Sequence, residues 1–171
     1  MENGCYNSVH VDFIHAVHGA CQFGFASTTS PSWKLDLFQF LRAIYYLFHD
    51  SPARCGEFTA VTACTVFSLK FCSIRWCENI IVANRALEML PHLCEWIKAV
   101  TNKALVLVND VESSLKRPST VSYGVTEESV KNSNILEARI HFFISVSSDL
   151  SDFLKRFQSG HPLSPFLYTT L

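Results

Sequence analysis

A proline set inside an otherwise unbroken helical period is what most restricts the fold of this chain. From Phe67 to Val100 the sequence reads FSLKFCSIRWCENIIVANRALEMLPHLCEWIKAV. Ile80, Ala83, Leu87 and Leu90 recur at steps of three and four, and Trp76 extends the row backward. Asn84, Arg85 and Glu88 group on the other side, where Ile81 is the one misfit. That spacing predicts an amphipathic helix with one buried stripe. Pro91 disfavours the α conformation for Leu90, so a kink or short break is expected there. A second helical piece, His92 to Val100, carries Leu93, Trp96, Ile97 and Val100 on one face. Two helices meeting at Pro91 would make a jointed arm.

The flanking segments are read in the same way. In Lys34 to Asp50, the residues Leu37, Phe38, Leu41, Ile44, Tyr45 and Phe48 share a face at helical spacing. Pro52 closes off continuation of that helix. Ala53 to Thr65 is a short helix candidate, and Val66 to Ile74 lacks clean alternation and reads as extended loop. Lys103 to Val111 extends the arm or starts another helix. Glu112 to Ser122 reads as a solvated linker around Pro118, and Val125 to Asn134 as a short helix or a loop. Ile135 to Gln158 is the second long helix, with a broad apolar stripe through Leu136, Ile140, Phe143, Ile144, Val146, Leu150, Phe153, Leu154 and Phe157. Gly160 and Pro162 end it. Toward the N-terminus, Val11 to Phe25 starts as a short strand or helix, and Ala26 to Ser32 is a turn-rich loop.

Composition bounds the function classes. With 171 residues the chain is about one domain. Hydrophobic residues make up 49% and charged residues 17%, and there are 14 phenylalanines. That charged share is low against a usual value of about 25%. The apolar surplus implies either a Phe-rich core or a surface that a partner covers. The net charge is −1, with no Lys/Arg run beyond the pairs Lys116-Arg117 and Lys155-Arg156. A free-standing nucleic-acid binder shows a basic face, so DNA binding by this chain alone is disfavoured outside a local patch. No apolar run approaches a membrane span, and no secretory signal opens the chain. Seven cysteines at irregular spacing fit free thiols in a reducing compartment.

Four groups of residues are candidates to carry chemistry. Asp12, His15 and His18, with His10 nearby, would share a helical face and offer zinc-type ligands; the alternative is that they fix a turn by local hydrogen bonds. Cys72 and Cys77, with Cys64 upstream, match no zinc-knuckle spacing, and buried cysteines behave as small hydrophobes. A Cys94–histidine nucleophile pair lacks any framing signature. Arg75-Trp76, at a loop-to-helix junction, could hold a phosphate with the guanidinium and stack an unpaired base on the indole. Its structural alternative is a Trp76 core anchor with Arg75 paired to Glu78. The acidic residues Asp12, Asp36, Asp50, Glu57, Glu78 and Glu88 are scattered and offer no metal-binding catalytic set.

Several segments taken in order resemble a hAT-family transposase of the domesticated or truncated type. Asp12-Phe13-Ile14-His15-Ala16-Val17-His18 resembles the family's Cys/Asp-x-x-His motif, and Phe71-Cys72-Ser73-Ile74-Arg75-Trp76 its Arg-Trp block. Trp33-Lys34 with the helix through Arg54 lies between them. Glu78-Asn79 and Arg85-Ala86-Leu87 follow the Arg-Trp block. Phe142-Phe143-Ile144-Ser145-Val146, Phe153-Leu154 and Pro165-Phe166-Leu167 complete the set. The resemblance spans about His10 to Leu171.

It implies a mainly α chain, a helical fragment of an interrupted RNase H-like (α/β) core. Residues 1–32 would be a remnant of that core and residues 33–171 an insertion-type helical region. The family's Asp, Asp, Glu triad binds a divalent metal such as Mg. Both aspartates would lie before Met1 and the glutamate after Leu171, so the resemblance implies no catalytic residue, no metal and no cofactor here. It assigns nucleic-acid contact to Arg75 and Trp76, a structural motif role to Asp12, His15 and His18, and a nuclear location, a cytoplasmic one being the reading without it. Implied partners are DNA, weakly, and related transposase or host proteins, with no membrane. Two rivals stand beside this reading: a protein-interaction module using the Phe-rich face of Ile135 to Phe157, and a small metal-binding protein using Asp12, His15 and His18.

Overall fold

The computed structural model describes residues 37–72, 76–108 and 111–158; of Trp76, Cys77, Val111 and residues 152–158 it describes the backbone alone. The described residues are mainly helical, with one small sheet. Five helices, α1 (Leu37–Phe48), α2 (Pro52–Thr62), α3 (Ile80–Thr101), α4 (Val121–Lys131) and α5 (Ser133–Gln158), surround one core, with the strands β1 (Leu105–Val108) and β2 (Val111–Ser114) forming an antiparallel hairpin between α3 and α4.

α1 is the central element. Leu37, Phe38, Phe40, Leu41, Ala43, Ile44, Leu47 and Phe48 are all buried, so its apolar arc is wider than the predicted face, and Tyr45 sits at the rim. It packs most closely along α4, and α3 packs along α5. The chain turns after α1 through Asp50, whose φ of 55° is left-handed. Pro52 then occupies the first turn of α2, where its missing N–H costs nothing. Two α2 side chains satisfy carbonyls that α1 leaves open: the Arg54 guanidinium donates to the Leu47 carbonyl and the Cys55 thiol to that of Phe48.

The arm around Pro91 is a single helix of 22 residues rather than two jointed pieces. Pro91 lies on the exposed side, so the hydrogen bond it denies Leu87 is lost where water can replace it. The buried stripe is also turned from the predicted one. Val82, Ala83, Ala86, Met89, Leu90, Leu93, Trp96, Ile97 and Val100 are buried, whereas Ile80 and Leu87 are only half-buried. α3 touches α1, α2, α4 and α5, and a helix covered on several sides needs a wider apolar arc than a single row. Ile81, the expected misfit, is 66% exposed.

The segment from Lys103 to Val111 is not helical. α3 stops in a Schellman arrangement: the Lys103 N–H donates to the Val100 carbonyl at 3.1 Å, and the Ala104 N–H to that of Ala99 at 3.0 Å. Lys103 takes the left-handed position, φ 50°, usually given to glycine. β1 then alternates, with Val106 turned inward and Leu105 and Leu107 outward, and pairs Leu105 with Ser114 and Val108 with Val111. The linker expectation for 112–122 is corrected too. Glu112 to Ser114 belong to β2, and Leu115, 1% exposed, donates its N–H to the Ala104 carbonyl. Thr120 caps α4 by accepting the Tyr123 N–H at 3.2 Å.

An aromatic cluster closes the core. Trp96 lies 5.7 Å from Phe48, 6.2 Å from Phe58 and 5.8 Å from Tyr123, ring centre to ring centre, joining α1, α2, α3 and α4. A second group sets Phe38 against Phe71 at 5.2 Å and against Phe143 at 5.9 Å. No described helix is long and apolar enough to cross a membrane.

Candidate functional site at the start of helix α3

Of the sequence-predicted nucleic-acid pair, Trp76 falls where the chain enters α3. Arg75 lies outside the described residues. Trp76 opens a 3-10 turn, Trp76–Asn79, that runs directly into α3 and packs against α5. The backbone of Trp76 therefore lies at the entry to the helix, and the residues just before it, 73–75, lie outside the described ones.

What fixes this junction is Asn79, which the sequence reading quotes only within the family resemblance and gives no role. Asn79 precedes the first residue of α3 and has the identity of a helix cap, yet its side chain makes no cap bond to the helix. It is 1% exposed and turned toward Cys72 instead. The Cys72 N–H donates to Asn79 Oδ1 at 2.8 Å, and Asn79 Nδ2 donates to the Cys72 carbonyl at 2.7 Å. An amide side chain thus pairs with a peptide unit much as a neighbouring strand would. Both groups are satisfied at once, so separating them would strand a buried amide at a cost of about 1–3 kcal/mol. The clamp joins the two ends of the stretch that carries Arg75 and Trp76. An asparagine just before a helical period was the available signal; its partner seven residues upstream was not.

The flank of the clamp is aromatic and basic. Phe71, buried beside Cys72, stacks against Phe38, and the exposed Arg42 guanidinium lies over its ring at 5.2 Å. Lys70 is exposed on the same segment. Among the described residues this end of the fold therefore offers two cations beside the Asn79–Cys72 clamp.

The other expected sites fare differently. Asp12, His15 and His18, with His10, lie outside the described residues, and among the described residues no group of three His, Cys, Asp or Glu side chains converges to hold a metal. Cys64 is buried in the core, as a small hydrophobe would be, but Cys72 is exposed. Cys94 is half-buried on α3.

A shallow cleft of about 250 Å³ brings together a thiol, an imidazole and a carboxylate from Cys55, His49 and Asp50. His49 stacks on Tyr45 at 4.6 Å, with its Nε2 3.0 Å from Asp50 Oδ2. Burial pushes the Cys55 thiol up, against the smaller opposing pull of Arg54, and its proton is directed at the Phe48 carbonyl 3.5 Å away. A protonated thiol so held is a poor nucleophile, so the trio is not poised for covalent catalysis.

Compared with protein-family models, with curated proteins and with solved structures, the chain matches none.

Proposed function

We propose that this chain is a non-catalytic, hAT transposase-derived module of RNase H-like ancestry, acting in the nucleus, whose remaining activity is contact with structured DNA through the Arg75-Trp76 junction. The observation that carries the reading is the Asn79–Cys72 clamp, which ties the residue just before the Arg75-Trp76 stretch to the start of α3. Fixing the two ends of a short stretch lowers the entropy it has to lose on engaging a ligand. Arg42 and Lys70 beside it supply the local positive charge that the chain as a whole, at −1, lacks. In this role Arg75 holds a phosphate and Trp76 stacks an unpaired base. The family's divalent metal has no part in it.

The test is binding of the purified chain to hairpin or branched DNA against plain duplex, at low and at physiological salt, with Trp76→Ala alongside. Stacking of one base is worth about 1–3 kcal/mol, so Trp76→Ala should weaken structured-DNA binding roughly 5- to 150-fold and leave duplex binding alone. Weak binding that vanishes with salt and ignores Trp76 would end this reading.

A protein-interaction role retains one supporting observation, on a different row from the Phe-rich stripe. Leu136, Ile140 and Phe143 are fully buried against the rest of the chain, so the described part of that stripe is spent internally. Ile135 and Phe142, seven residues apart on α5 and 49% and 56% exposed, form the row that a partner could meet. Self-association or partner capture lost on Phe142→Ser, with DNA binding unchanged, would favour that role.

A further inference from the structure

The opposite end of α3 holds a second candidate site that owes nothing to Trp76. At 1.5 Å per residue, the 22 residues of α3 set the two ends about 33 Å apart. Between the end of α3, the base of the hairpin and α4 lies a cleft of about 570 Å³, within the usual range of small-ligand sites. Val100 and Leu115 form its apolar floor, and Lys103, Lys116, Arg117 and Glu127 line it. Three cations face one carboxylate in a chain whose net charge is −1.

The fold fixes the backbone under Lys103 and Lys116 and the guanidinium of Arg117. Lys103 is fixed by its own N–H to the Val100 carbonyl, by the Ala104 N–H to that of Ala99, and by Ser114 Oγ, which donates to the Lys103 carbonyl at 3.2 Å. Lys116 follows Leu115, whose backbone is tied to Ala104 and whose side chain is buried. Arg117 is placed by Glu127 at 2.5 Å and by the Tyr123 ring at 5.7 Å from its guanidinium carbon. Glu127 thereby neutralises Arg117, while Lys103 and Lys116 make no ion pair among the described residues. The negative end of α3 opens on the same cleft. The carbonyls of Lys98, Ala99 and Val100 are taken up by the N–H groups of Asn102, Ala104 and Lys103, and the Lys98 side chain stands in the last turn.

From this geometry we infer that the cleft binds a phosphoryl anion of two or more charges, with Lys103 and Lys116 as its direct ligands and Arg117 as a third cation shared with Glu127. Pyrophosphate and the phosphate chain of a nucleotide share this chemistry.

The full chain should be titrated with inorganic pyrophosphate and with ADP, following amide NMR shifts and calorimetric heat, beside Lys103→Gly and Lys116→Gln. The expected result is saturable one-to-one binding, with shifts centred on Lys103, Ser114 and Lys116, weakened roughly tenfold by each variant. Lys103→Gly is the decisive variant, because glycine suits the left-handed position. It should raise the melting temperature while lowering affinity, which separates lost binding from lost folding. Tighter binding of ADP than of pyrophosphate would identify a nucleotide as the source, and equal binding a free polyphosphate. Absence of saturation, or binding that both variants leave intact, would overturn the inference.

Discussion

Tyr123 shows how one side chain ties acidity to packing. Its ring is 1% exposed, edge-on to Trp96, and its hydroxyl donates to Glu127 Oε1 at 3.5 Å. Burial first, then the Glu127 charge, raises the phenol above its ordinary value near 10, with Arg117 opposing. The phenolate is therefore less favourable in the folded chain than in the unfolded one. The stability this represents is complete below the unfolded value near 10 and is lost as pH rises through the higher folded value. The loss proceeds by up to about 1.4 kcal/mol per pH unit between the two. Tyr123→Phe cannot ionise, so it should flatten that share of the alkaline decline. Denaturant melts of both proteins at about pH 8 and about pH 11 check this. An equally steep decline in the variant would mean that Tyr123 contributes nothing to it.

Between elements, the seating of the hairpin on α2 turns on one missing side chain. A Cβ on Gly56 would meet Val108 Cγ1 at 3.2 Å, closer than an ordinary contact. Gly56→Ala should be close to neutral, because about 1 kcal/mol of helix propensity offsets the crowding. Gly56→Val should cost about 1–3 kcal/mol by overpacking. Val108→Ala should recover part of that loss in the double variant, measured as a coupling energy from equilibrium unfolding. Additive losses would mean that the two residues do not meet.

This hairpin is also where the sequence was least legible. β1 has only four residues, β2 is largely polar, and the stop signal of α3 was masked by a lysine in glycine's usual position. α1, α2 and α5 were legible because periodicity and proline placement act locally. The break expected at Pro91 is absent because packing on both sides of the proline holds α3 together and its exposed face tolerates the lost bond. At the candidate site, the junction at Trp76 was legible from the onset of the helical period. The Asn79–Cys72 pairing was not, because a side chain's choice between capping its helix and clamping a loop depends on the surrounding fold.

On the scale of the whole molecule, the large apolar side chains of the described residues go mostly into a shared interior. Phe38, Phe40, Phe48, Phe58, Phe71 and Phe143 are all buried in one cluster that runs from α1 to α5. Trp96 is the joint of that cluster, fully buried among aromatic side chains from three other helices. Its Nε1, however, meets no acceptor among the described residues. Two opposed effects therefore act at one position: a large apolar contact area that stabilises, and a buried donor that costs about 1–3 kcal/mol. The two can be separated by substitution. Trp96→Ala should lose about 3–5 kcal/mol, a large part of a typical domain's 5–15 kcal/mol, and with it the cooperative melt of α1 to α4 together. Trp96→Phe keeps an aromatic ring and discards the stranded N–H, so it should cost less than about 2 kcal/mol. Near-ultraviolet circular dichroism and denaturant unfolding of the three proteins decide the matter. Equal losses for Phe and Ala would show that the indole's full volume, rather than aromatic contact as such, holds the four helices in register.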